Sequence, residues 1–208
     1  MRREGGYVRL PPFAAGQAIG LLGGSFNPPH SGHLLASRLA LTRLRLARLW
    51  WLATPGNPLK SPADLAALRT RLDAARALID DPRIAVTGFE SEIGSRYTAD
   101  ALRFLKRRAA GARFVWIMGA DNLAEFHRWR EWREIAEMVP ILVVDRPGAS
   151  FAALSSRAGL ALARWRRPES EAPRLAFLAP PAWIFLHGPR SSASSTALRR
   201  RLSPPVLE

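Results

Sequence analysis

The 208-residue chain contains no cysteine. That excludes disulfides, thiolate nucleophiles and zinc or iron–sulfur centres built on thiolates. Lysine is nearly absent too: only Lys60 and Lys106 occur, and the other basic residues are arginines. Acids are outnumbered, 17 against 31 Lys and Arg, for a formal net charge of +14. No apolar run reaches the roughly 18 residues of a membrane span. The opening stretch "MRREGGYVRLPPFAAGQAIGLLGG" is broken by prolines and glycines, where a secretory signal holds an unbroken apolar stretch of about 7–15 residues. The expectation is a cytoplasmic protein, with a short extension over residues 1–16 and one domain over 17–208.

Hydrophobic residues make up 48% of the chain, enough to bury a full core. The arginines are spread along every segment, with dense runs only at 106–108, 164–167 and 199–201. Such a spread suits a solvated surface that attracts small anionic ligands, and polyanion binding is the alternative.

Short β-like runs alternate with longer helical ones. Strands are expected at 19–24, 48–55, 83–89, 113–121, 140–147 and 182–188. Helices are expected at 31–46, over "LAALRTRLDAARALI" with Ser61 and Pro62 at its start, at 98–109 with Thr98 as cap, at 131–139 and at 194–202. Residues 148–180 read less regularly, with some helix near 152–165. Alternation of this kind implies parallel pairing: an α/β fold, a Rossmann-like doubly wound sheet with helices on both faces. Such sheets bind ligands beyond the C-terminal ends of their strands.

Residues 23–33 read "GGSFNPPHSGH" and sit where the first strand passes to the first helix. Glycines there allow backbone N–H groups to approach a phosphate, and the helix start adds its positive dipole end. His30 precedes the helix and His33 falls in its first turn, so both rings can face one anionic pocket. The stretch is neither a P-loop nor the G-x-G-x-x-G dinucleotide fingerprint. H-x-x-H spacing also occurs in metal sets, with His127 or His187 available as a third donor, but no cysteine or neighbouring carboxylate completes one. No metal held by protein side chains is expected.

These residues resemble the [HT]-x-G-H signature of the nucleotidyltransferase superfamily, through His30, Gly32 and His33. A second signature, S-T-x-x-R, is matched by Ser195, Thr196 and Arg199. Between them "PGNPLK", "SRYTADALRFL" and "GADNLAEFHRW" are similar to the bacterial nicotinate-nucleotide adenylyltransferase family, over residues 19–203. The resemblance implies transfer of the adenylyl group of ATP, with Mg2+, to nicotinate mononucleotide, giving deamido-NAD (nicotinate adenine dinucleotide) and pyrophosphate. The rivals are an enzyme preferring nicotinamide mononucleotide and a basic nucleic-acid-binding protein of the same fold.

The same resemblance implies the site. His30, His33, Lys60 and Arg199 would act at the reacting phosphates. Gly23, Gly24, Ser25, Phe26, Gly119, Asp121, Ser195 and Thr196 would join both histidines and Arg199 around ATP, with Asp121 at the ribose. Ser25, Phe26, Lys60, Tyr97, Thr98 and Trp129 would hold the mononucleotide, Trp129 by stacking on the pyridine ring. Where some relatives carry a tyrosine after that tryptophan, this chain has Arg130. The partners are ATP and nicotinate mononucleotide, with neither nucleic acid nor membrane; oligomeric state is not legible.

Overall fold

A computed structural model describes residues 9–56, 65–188 and 195. Seven parallel strands form one sheet among these residues: β1 (Ala18–Gly24), β2 (Arg48–Ala53), β3 (Ile84–Thr87), β4 (Arg113–Gly119), β5 (Ile141–Val144), β6 (Arg166–Arg167) and β7 (Trp183–Leu186), in the order β3-β2-β1-β4-β5-β7-β6. The chain runs outward from β1 to β3, then returns to the other side of β1 through β4. The reversal point therefore lies between β1 and β4, where open α/β sheets bind ligands. Leu22 pairs with Ile117 there, and Gly23 with Leu52 on the other side.

Eight α-helices accompany the strands among the described residues: α1 (Ser31–Arg43), α2 (Leu68–Leu78), α3 (Phe89–Glu92), α4 (Thr98–Arg108), α5 (Ala120–Glu125), α6 (Trp132–Met138), α7 (Ser150–Leu154) and α8 (Arg157–Ala161). The strands are apolar on both faces, as a covered parallel sheet requires. Side chains alternate, so consecutive residues part company: Trp50 packs with Leu21, Trp116, Leu102 and Ile135 on one face, Trp51 with Leu22, Ile117, Leu41 and Ala75 on the other. The two cores place α4, α5 and α6 on the first face and α1 and α2 on the second.

Several expectations needed correction. The strand expected to run to residue 121 ends at Gly119, and Asp121 lies in the first turn of α5. Ser61 and Pro62, expected at the start of α2, lie outside the described residues; the helix starts at Leu68 with Ala67 at its N-cap position, and residues 65–67 are not helical. The reason is non-local: Ala66 N–H donates to Asn27 Oδ1 and Ala66 O accepts from Arg71 Nε, which commits that backbone to tertiary contacts. Thr98 is the first residue of α4 rather than its cap; Tyr97 holds that position, with no side-chain capping bond. The strand expected over 83–89 stops at Thr87, and Phe89 begins α3.

Residues 148–180 hold α7, α8, the two-residue β6 and a 3-10 segment over Glu169–Phe177 interrupted by Pro173. Of the expected extension, Leu10 packs against the core, Phe13 meets the Trp50 ring edge-on at 6.1 Å, and Gly16 N–H donates to Gly111 O. The helix expected at 194–202 lies outside the described residues apart from Ser195.

Candidate active site

The C-terminal ends of β1 and β4 open into a cavity of about 510 Å³, within the usual range for small-molecule sites of about 300–1,000 Å³. The wall formed after β1 carries Gly23, Gly24, Ser25, His30 and His33. Glycine is required at 23 because a Cβ there would fall 2.5 Å from the Trp116 ring. Phe26, with φ of 47°, turns its ring away into the core, where it stacks on Trp51 at 4.7 Å and 6°. Phe26 is fully buried as a whole residue and does not line the cavity, so the ligand contact expected of it is not borne out.

His30 occupies the N-cap position of α1 and His33 its first turn, with ring centroids 3.8 Å apart. His33 Nδ1 accepts from the His30 backbone N–H at 3.2 Å. A neutral His33 therefore carries its proton on Nε2, as a donor. Burial lowers the His33 pKa to about 3, with smaller contributions from His30 and Arg146 against an opposing backbone bond. Burial, then Arg146, lowers that of His30 to about 4. Both rings are neutral at physiological pH. His33 is braced from behind: Trp51 Nε1 donates to Ser37 Oγ, which donates to the His33 carbonyl, each at 2.8 Å.

Across the reversal point, Asp121 Oδ2 meets Arg146 Nη1 at 3.2 Å. Gly119 allows this, because a Cβ there would collide with the Asp121 carboxylate. The far wall is aromatic. Trp129 lines it, nearly perpendicular to Trp116 (6.2 Å, 84°) and to Phe126 (5.4 Å, 76°). Tyr97 and Thr98 line it at the start of α4, and the Arg130 guanidinium lies 4.7 Å over the Tyr97 ring. Arg103 ties this wall together, bonding Asp100 of α4, Glu131 and Glu134 of α6 at 2.9, 2.6 and 2.5 Å. Glu131 sits at φ of 57°, a left-handed conformation held by that bond at the entry to α6.

The structure thus brings Gly23, Gly24, Ser25, His30, His33, Tyr97, Thr98, Gly119, Asp121, Trp129 and Ser195 to one cavity. Ser195 Oγ also donates to Pro28 O at 2.8 Å, fastening that later segment to the loop after β1. Lys60, Thr196 and Arg199 lie outside the described residues. Sequence reasoning missed Arg96, Arg128 and Arg146 on the cavity rim, and Glu90 in its wall. Burial raises the Glu90 pKa to about 7, against a hydrogen bond from the Thr54 side chain. "VVDRP" at 143–147, a basic residue just past a buried strand end, was the available signal for Arg146.

One buried polar atom of a cavity residue, Trp116 Nε1, has no hydrogen-bond partner among the described residues. Among the described residues, no three His, Cys, Asp or Glu side chains converge on a point that could hold a metal. Neutral imidazole donors, four arginines and an aromatic wall around one cleft suit a phosphorylated ligand with a planar ring.

A cytidylyltransferase-like family model matches residues 21–201. The chain is similar to a probable nicotinate-nucleotide adenylyltransferase of Methylorubrum extorquens, 63% identical over 88% of this chain and 99% of that one. A protein of the same description from Agrobacterium fabrum is 55% identical over 87% of this chain and 97% of its own. Among solved structures, a Plasmodium falciparum nicotinic acid mononucleotide adenylyltransferase complexed with NaAD superposes with a TM-score of 0.69. It is 17% identical, over 91% of this chain and 85% of that one, a likeness of fold.

Proposed function

The chain belongs to the cytidylyltransferase-like family and, within it, to the nicotinate-nucleotide adenylyltransferases; from that premise we propose how its cavity works. The enzyme transfers the adenylyl group of ATP to nicotinate mononucleotide, giving deamido-NAD and pyrophosphate, a step of NAD biosynthesis. An oxygen of the mononucleotide phosphate attacks the α-phosphorus of ATP. The new P–O bond forms as the bridge to the β-phosphate breaks, and pyrophosphate carries away the electron pair.

The attacking oxygen is already ionised near neutrality, so no general base is needed. The work is alignment of two repelling anions and stabilisation of charge on the leaving group. Neutral His33 does this through its Nε2–H, with His30 beside it, and backbone N–H groups at the end of β1 add further donors. Lys60 and Arg199 are assigned to the phosphates on their sequence match. Magnesium bound with ATP would supply further neutralisation of phosphoryl charge.

Asp121 accepts from the ATP ribose hydroxyls, in place of part of its contact with Arg146. Trp129 stacks on the pyridine ring, and the uncapped N–H groups at the start of α4 receive the nicotinate carboxylate. Those donors prefer a carboxylate, which only accepts, to a carboxamide whose NH₂ would face one of them. No helix among the described residues is long and apolar enough to cross a membrane, and we place the enzyme in the cytoplasm.

The observation that carries the reading is the pair of neutral histidines, His30 buried and His33 half-buried, facing an aromatic, arginine-rimmed wall across one cavity. Incubation with ATP, Mg2+ and nicotinate mononucleotide tests it: deamido-NAD and pyrophosphate should appear in equal amounts.

A further inference from the structure

Arg71, in the first turn of α2, is 2% exposed. Arginine is almost never buried so fully without an acid partner. Here Nη1 donates to Ser25 O at 2.6 Å and to Thr54 O at 2.8 Å, and Nε donates to Ala66 O at 2.8 Å. All three acceptors are neutral carbonyls, and among the described residues no carboxylate forms an ion pair with it. Glu90 is hydrogen-bonded to the side chain of Thr54, and Arg71 is not among the groups that shift its pKa. Burial depresses the pKa of Arg71 itself, yet a guanidinium stays charged at any physiological pH. Among the described residues this buried cation has no anion beside it, which is costly, and nothing in the packing of α2 alone calls for one.

Its position gives it a use. Ser25 belongs to the loop that lines the cavity after β1, and Thr54 follows β2 on the same wall. The Thr54 N–H donates back to Gly24 O, so Arg71 closes a ring of contacts under the loop. In a trans peptide the carbonyl and the next N–H point in opposite directions, so holding Ser25 O also fixes the Phe26 N–H, aimed away from Arg71. Phe26 needs such support, because its left-handed φ of 47° is unfavourable for a bulky side chain. The bond from Ala66 N–H to Asn27 Oδ1 clips the same loop at its next turn.

We propose that Arg71 is a positioning residue for adenylyl transfer: it sets the phosphate-facing loop from beneath, and its charge adds to the positive field that the substrate phosphates meet. This rests on the phosphate-binding role given to the loop above. Two consequences separate, one for the charge and one for the geometry. Lysine keeps the charge but has no planar fork to hold two carbonyls at once.

The test compares Arg71→Lys and Arg71→Met with the wild type, using calorimetric titration of MgATP alone and steady-state kinetics well below each variant's Tm. Arg71→Met is expected to bind MgATP about tenfold or more weakly and to lose about 10²-fold in kcat through loop misplacement. Arg71→Lys should recover most of the MgATP affinity but little of kcat. Added methylguanidinium should restore turnover to Arg71→Ala and leave the wild type unchanged. Variants that lose Tm while kcat, KM and MgATP affinity stay at wild-type values would overturn the proposal, leaving Arg71 a structural tie. Should the Met and Ala variants not fold, the Lys variant decides alone, with wild-type kcat counting against. Failure of the wild type to form dinucleotide would refute the enzymatic reading instead, since MgATP titration reads Arg71 without it.

Discussion

Replacing His33 dissects the most closely determined group in the site. Its Nδ1 is occupied by the His30 backbone N–H, and the depressed pKa of about 3 keeps the ring neutral, so the Nε2–H is what remains for substrate. Asparagine places a polar atom near the Nδ1 position and glutamine near the Nε2 position, which allows the two functions to be tested apart. His33→Asn should keep the bond to His30 N–H and lose the donor. Removing one donor aimed at developing charge costs about 10²–10³ in kcat, or roughly 2.7–4 kcal/mol, while Tm stays close to wild type. His33→Ala should lose as much rate and also orphan a buried N–H, at about 1–3 kcal/mol of stability. His33→Gln should retain the most turnover of the three. Pyrophosphate release at saturating ATP and nicotinate mononucleotide gives kcat, and thermal melts give Tm. A His33→Asn variant with near-normal kcat, or a wild-type acid limb near pH 6.5 that vanishes in that variant, would refute the reasoning.

Arg199→Ala should raise KM for ATP while leaving KM for the mononucleotide nearly unchanged, because a guanidinium pairs with phosphate oxygens through two hydrogen bonds; the reverse pattern in initial-rate kinetics would move it to the other substrate. Trp129→Ala should weaken acid and amide mononucleotides alike, since both share the ring, and unequal losses in kcat/KM would contradict stacking. Stability should fall with acid: His30 and His33 have folded pKa values of about 4 and about 3, below the unfolded 6.5, so unfolding takes up protons from pH 6.5 down to those values. Glu90 works the other way, its folded value of about 7 lying above the unfolded 4.5, so its contribution is present below 4.5 and lost as pH rises through 7. Tm measured from pH 7.5 to 4.5 should therefore fall more steeply in Glu90→Gln and less steeply in His33→Asn than in wild type.

The parts of the site written in local sequence were the legible ones. A glycine pair ending an apolar run, followed by two histidines at a helix start, fixes strand, turn and first helical turn together, and His30 and His33 meet as that spacing implies. Trp129 stood out because its basic, irregular neighbours fit no core stripe, and it lines the cavity. Asp121 was read as a strand end because the apolar run before it continues without a break; the α5 helix begins there because Gly119 lets the carboxylate fold back toward Arg146. Arg71 was invisible for a different reason. In "LRTRLD" it looks like any exposed helical arginine, and its three acceptors are backbone carbonyls, two of them from distant segments, which leave no mark on side-chain identity. Glu90 was hidden too, just past the strand expected over 83–89, in a four-residue helix that the sequence reading did not mark.

The most direct measurement is a head-to-head assay of the purified protein with ATP and Mg2+ and either nicotinate or nicotinamide mononucleotide, with the dinucleotide identified by mass and pyrophosphate counted. The expected result is deamido-NAD and pyrophosphate in equal amounts, with kcat/KM for the acid well above that for the amide. Equal use of acid and amide would contradict the assignment of the α4 N–H groups to a carboxylate. No dinucleotide from either substrate would contradict the adenylyl-transfer reading itself.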